Sequence, residues 1–124
     1  MSDQEVSRDW PAGVHPPGAE SFEQTALVWL FEQVPADYRL HGVLRRHPLA
    51  LARLARLHVT ACLENARQAY RTTRADLGDW LPTHAVDQVM RVYLTEGQRL
   101  AATLRAVEAV EAALRASYAG PRGS

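Results

Sequence analysis

The sequence contains no lysine and no isoleucine, and it has only one cysteine, one asparagine and two phenylalanines. A single cysteine, Cys62, cannot form an intramolecular disulfide or supply a thiolate cluster for a metal. The longest apolar run, residues 26–31, is far shorter than the ~20 residues that cross a bilayer. The acidic N-terminus also lacks the basic start and apolar stretch of a secretory signal. We therefore expect a cytoplasmic protein that does not contact a membrane.

Motifs for common catalytic and cofactor chemistry are missing as well. There is no glycine-rich phosphate loop, no nucleophile elbow and no Glu-x-x-His pair of the di-iron bundles. His58 precedes Cys62 by one helical turn, but two ligands are too few for a structural metal site. The sequence therefore predicts a protein that is not an enzyme and that carries no cofactor and no metal.

The residues that are abundant favour helix. Twenty alanines and fifteen leucines stand near the top of the helix-propensity scale, and 124 residues correspond to one domain. Residues 1–20 are rich in proline and glycine, so we predict a disordered or docked arm that contributes little to folding. A helical domain is predicted over residues 21–118, followed by a flexible tail at 119–124.

Four helices are predicted within that domain. The first covers about residues 22–33 and begins at a capping box formed by Ser21 and Gln24. A short second helix is predicted at 36–46, a third at 48–77 and a fourth at about 83–117. The fourth repeats apolar residues at seven-residue spacing, which is typical of left-handed packing against another helix: Val86, Tyr93, Leu100, Val107 and Leu114. The predicted fold is all-α, a long antiparallel hairpin with one or two short N-terminal helices packed on it as a small bundle.

Apolar surface in excess of what one chain can cover predicts a homodimer. Residues 26–31 are apolar on more than one side of the first helix, and residues 49–59 are apolar over most of the third. Large exposed apolar patches are uncommon on monomers. The predicted dimer interface consists of residues from these two segments: Ala26, Leu27, Trp29, Leu30, Phe31, Leu51 and Leu54.

Charge is segregated along the chain although the net charge is zero. Residues 1–37 carry seven acids and one arginine, whereas residues 38–63 carry five arginines and no acid. Seven arginines of the second and third helices are candidates for binding an anion or a partner: Arg45, Arg46, Arg53, Arg56, Arg67, Arg71 and Arg74. Such a stripe suits nucleic-acid phosphates, and it equally suits the acidic N-terminal block.

Three functions follow from these patterns. Segregated charge without catalytic motifs favours a non-catalytic interaction or scaffold protein that acts as a homodimer or binds another protein. The alternative is a nucleic-acid-associated protein that binds phosphates through the arginine stripe. A third hypothesis is a small-molecule-binding regulator with an apolar pocket lined by Trp29, Tyr70 and Tyr93.

Overall fold

The computed structural model describes residues 8–122, with side chains for residues 8–118. The elements in chain order are α1 (Phe22–Phe31), a 3-10 turn (Ala36–Leu40), α2 (Gly42–Arg46), α3 (Pro48–Leu77) and α4 (Thr83–Arg122). No strand occurs among these described residues, so the all-α class is confirmed. The second predicted helix divides into the 3-10 turn and α2, and α4 continues through residues 119–122, which we predicted as tail. The predictions for residues 1–7 and 123–124 lie outside the described residues.

Proline and glycine set the limits of α3. Pro48 occupies the first turn, where its missing N–H would have no helical partner, and the preceding His47, at φ −131° and ψ 85°, lies outside the helical region that proline disfavours for the residue before it. At the other end, the Gly78 N–H donates to the Arg74 carbonyl at 2.9 Å. A Cβ atom at Gly78 would lie 2.5 Å from that same carbonyl oxygen, so only glycine allows this close ending.

The long helices α3 and α4 pack against each other along the predicted seam. On α4, the seven-residue column faces inward: Val86, Leu100, Val107 and Leu114 are buried and Tyr93 is half-buried. On α3, the buried residues of the facing seam include Val59, Leu63, Ala66 and Thr73. Apolar residues at seven-residue spacing thus fix which face each long helix turns inward.

A third layer covers only one half of the hairpin. We call residues 48–58 and 105–118 the proximal half, and residues 59–77 and 83–104 the distal half. Helix α1 packs on the proximal half, where its Ala26 and Leu30 join the cluster that contains Leu51 and Val110. At 1.5 Å per residue, α1 is about 15 Å long and α3 about 45 Å. The distal core is correspondingly thin: Val59, Leu63, Ala66 and Leu100.

Residues 8–20 are docked on the domain, which changes our expectation that they contribute little to folding. Val14 is only 4% exposed and belongs to the proximal cluster. The Trp10 ring lies 5.9 Å from the ring of Phe22, and its indole N–H donates to the Val14 carbonyl at 2.8 Å. Asp9 forms an ion pair with Arg105 of α4 at 3.4 Å. These residues therefore cover α1 from the outside.

The predicted capping box at the start of α1 does not form. Ser21 occupies the N-cap position, but its side chain makes no bond to the first helical amides. Its hydroxyl instead contacts the ring of His15. The Thr25 hydroxyl accepts the His15 backbone N–H at 2.9 Å and donates to the Ser21 carbonyl. The arm thus takes the polar groups that would otherwise cap the helix.

Candidate binding site on the helical hairpin

A groove of about 310 Å³ lies between α3 and α4 in the distal half. It has an apolar interior and a basic edge, and none of its lining residues is acidic: Ala66, Arg67, Tyr70, Arg71, Tyr93, Leu94, Gly97, Gln98 and Ala101. The volume falls at the lower end of the range for small-molecule sites, which is roughly 300–1,000 Å³.

The structure brings together two of the three aromatic residues predicted to line a pocket. Tyr70 and Tyr93 both line the groove, one from each long helix. Trp29 does not, because it lies on α1 beside Gly13 and Val28 in a separate shallow depression. The groove thus contains two of the three predicted residues and is lined by the hairpin alone.

Gly97 lines the groove, and neither its backbone angles nor its contacts explain why this position is glycine. It lies in the interior of α4, and positive φ occurs at Gly18 alone among the described glycines. A Cβ atom at position 97 would meet no atom within 4 Å. Glycine within a helix costs about 0.5–1 kcal/mol relative to alanine. Neither backbone geometry nor packing therefore requires glycine here, whereas an open groove does.

Arg56 is paired with a buried carboxylate and is not a free member of the predicted arginine stripe. Its Nε donates to the carboxylate of Glu111 on α4 at 2.7 Å, and Arg115 binds the same carboxylate at 3.0 Å. Glu111 is buried, and the two guanidinium groups supply the partners of its carboxylate. The hydrogen bond that Arg56 donates to Glu111, and then the charge of that carboxylate, raise the pKa of Arg56.

The remaining arginines of the predicted set separate into different environments. Arg74 pairs with Asp87 across the distal end at 3.0 Å, and Arg45 donates to the Arg39 carbonyl near α2. Among the described residues, Arg46, Arg53 and Arg67 form no ion pair, and all three are exposed. The stripe is therefore interrupted, and only two of its members line the groove: Arg67 and Arg71.

The residues predicted as a dimer interface lie in the core of the single chain. Four of them are buried: Ala26, Leu30, Phe31 and Leu51. The other three are partly buried against the same proximal cluster: Leu27, Trp29 and Leu54. The arm and α1 thus form a layer that covers most of the residues predicted for this interface, while Val28 and Leu57 of the same two segments stay 52% and 44% exposed.

Large apolar side chains remain exposed in several parts of the fold: Val28, Leu40, Val43 and Leu57 lie before the distal half, and a further group lies within it. Trp80 is 80% exposed at the hairpin turn, Val92 is 64% exposed and Leu94 is 49% exposed. Val92 stands in one seven-residue column of α4 with Ala106, which is buried, and Ala113, which packs against the proximal cluster that contains α1. Because residues seven apart occupy nearly the same angle on a helix, Val92 lies on the α1 side, and Leu94, two positions on, lies on the groove side. The seven-residue spacing of Val92, Ala106 and Ala113 is the sequence signal for this distinction.

The described part of the chain meets the requirements of neither a metal site nor a membrane-spanning helix. The Sγ atom of Cys62 lies 3.5 Å from Nε2 of His58, but within the described residues no three His, Cys, Asp or Glu side chains gather as a metal site. None of the described helices combines the length and the apolar character needed to cross a bilayer.

Comparisons with protein-family models, curated proteins and solved structures find no match to this chain. The functional inference therefore depends on the geometry of the hairpin surfaces.

Proposed function

We propose that the protein is a non-catalytic helical interaction protein that acts as a homodimer through the distal half of its hairpin. The pairing surface is the uncovered side, which we define by Cys62 and Ala69 on α3 and Val92 on α4. This proposal keeps the homodimer expected from the sequence but moves its interface away from α1.

The main support for this proposal is that α1 and the arm cover only the proximal half of the hairpin. Ala55 of α3 lies beneath α1, and Cys62 and Ala69 continue its seven-residue column into the distal half without such a cover. On α4, Val92 continues the column of Ala106 and Ala113 in the same way. An isolated pair of helices buries only one seam, so a further layer would stabilise this half.

A second copy of the chain is suited to cover the distal half, where the third layer is missing. Two hairpins related by a two-fold axis can stack their uncovered sides and place four helices around one core. The charged residues on this side do not oppose such contact, because Glu96 and Arg99 already pair within the chain at 2.6 Å. Trp80, at the exposed turn, would then lie near the second copy.

Sedimentation equilibrium at micromolar concentration tests the proposal with two matched variants. Val92→Glu places a carboxylate on the uncovered side and should give a monomer near 13.8 kDa. Leu94→Glu makes the same chemical change two positions away, about 200° around the helix, and should leave the dimer intact. A monomeric wild-type protein, or equal effects of the two variants, would contradict the proposed interface.

Nucleic-acid binding, the alternative expected from the sequence, has less support. Arg56 and Arg74 pair with carboxylates of α4, so the free positive charge is spread over fewer positions than the stripe contains. Fewer phosphate contacts imply weaker binding and a shallower dependence on salt. A labelled duplex should show no mobility shift at physiological salt, and a clear shift would favour this alternative.

A further inference from the structure

We propose that the groove between α3 and α4 is a binding site for a small organic carboxylate with an apolar body. This site goes beyond the proposed dimer, because it lies on the other side of the hairpin. Its test uses different variants, so either proposal can fail alone.

The interior of the groove suits the apolar part of such a ligand. Tyr70 and Tyr93 present aromatic rings from the two helices, and Leu94 adds an aliphatic wall. Ala66 and Ala101 have small side chains that leave the space between the helices open. Aromatic rings and aliphatic walls around a few polar groups are the usual lining of small-molecule sites.

The edge of the groove suits the carboxylate. Arg67 and Arg71 are four residues apart on α3, so both guanidinium groups lie on the same side of the helix. Arg71 is held by the side chain of Gln68, at 2.7 Å, and Arg67 has no ion-pair partner among the described residues. A guanidinium group binds a carboxylate through two parallel N–H donors, which makes it selective for planar anions.

Gly97 supplies the second argument, since the chain itself does not need glycine there. A Cβ atom at this position would meet no other atom of the protein within 4 Å, and position 97 lines the groove. Glycine therefore leaves the groove open at this position. With glycine at position 97, an empty and partly apolar volume remains beside Arg67 and Arg71, which form no ion pair among the described residues.

A second copy of the chain is a poorer occupant of this groove. In a two-fold contact the same surface meets itself. Such a contact would bring Arg67 and Arg71 close to their own counterparts, while no lining residue supplies an acid to neutralise them. Like charges in one interface oppose association. An anionic ligand neutralises the same cations.

Isothermal titration calorimetry with decanoate tests the site, and decanol, which has the same apolar chain without the charge, is the matched probe. We expect one decanoate per chain and an affinity at least tenfold higher than that of decanol, since hydrogen bonds to charged groups contribute about 1.5–3 kcal/mol. Equal affinities for the two probes, or no binding of decanoate, would overturn the proposal.

Two substitutions locate the binding. Arg67→Gln should weaken decanoate about tenfold and leave decanol unchanged. Gly97→Leu should abolish binding of both probes by filling the groove, while the helical circular dichroism and the unfolding midpoint stay equal or rise. Arg53→Gln, which removes an exposed arginine of α3 outside the groove, is the control and should bind decanoate like the wild type. If Gly97→Leu retains wild-type affinity, or if Arg53→Gln loses it, the carboxylate binds elsewhere and the assignment is wrong.

Discussion

The contribution of the third layer can be measured by truncating two leucines of one helix. Leu100 and Leu114 stand in the same seven-residue column of α4, and both side chains point toward α3. Leu114 is fully buried in the proximal cluster beneath α1, whereas Leu100 is 7% exposed in the thin distal core. The pair Leu100→Ala and Leu114→Ala therefore makes one chemical change in two environments.

The expected loss of unfolding free energy depends on the apolar contacts that each leucine makes. Leu→Ala removes three carbons, which corresponds to about 2.4 kcal/mol of transfer free energy at 0.8 kcal/mol per methylene. A rigid, fully enclosed site adds a cavity penalty, and measured losses then reach about 2.7–5.0 kcal/mol. We expect about 4 kcal/mol for Leu114→Ala. Two helices alone can close around the gap more easily, so we expect about 2 kcal/mol for Leu100→Ala in the monomer.

Urea unfolding followed by circular dichroism gives both values from the midpoints, provided that the slopes stay equal. Measurement at two protein concentrations separates the monomer from a dimer, because association through the distal half makes the midpoint rise with concentration. A loss below half a kcal/mol for Leu100→Ala would show that the column does not face inward. Equal losses at high dilution would show that α1 adds nothing to the rigidity of the proximal half.

Three further predictions concern the arm and the ion pairs. Trp10→Ala should lower the free energy of unfolding by about 2 kcal/mol in urea titrations, roughly half the loss for a fully buried tryptophan; no change would return the arm to a dispensable role. Glu111→Gln should cost about 1.5–3 kcal/mol because two arginines bond to this carboxylate, and an unchanged midpoint would contradict that. Chiefly through the hydrogen bond from Arg99, Glu96 has a lowered pKa, so its contribution to stability is present at neutral pH and is lost as the pH falls through that pKa. NMR titration should show the pKa of Glu96 returning to its ordinary value in Arg99→Gln.

The long helices were predictable because their signals are local or periodic. The bounds of α3 agree with the prediction, since Pro48 and Gly78 act on the backbone next to them. The inward column of α4 followed from seven-residue spacing, which needs no knowledge of the partner helix. Arg74 and Asp87 lie at similar distances from the hairpin turn, so even their ion pair was within reach of sequence reasoning.

The arm was not predictable in the same way. Trp10 and Val14 are isolated apolar residues among prolines and glycines, and isolated residues have no period. Their burial depends on a surface that exists only after α1 has packed on the hairpin. For the same reason, the sequence pattern did not show that Ala26, Leu30, Phe31 and Leu51 are buried within one chain.

Folding changes the interpretation of the charge blocks seen in the sequence. Charge complementarity predicts that the acidic N-terminal block meets the basic segment, and within one described chain Glu20, Glu23 and Glu32 form no ion pair. The arginines of α3 that are neutralised take their partners from α4, as Arg56 does from Glu111. Whether an arginine of α3 stays unpaired therefore depends on whether an acidic side chain of α4 lies close to it. Those that remain at the groove lie beside its apolar lining, and this combination favours a ligand that is itself both anionic and apolar.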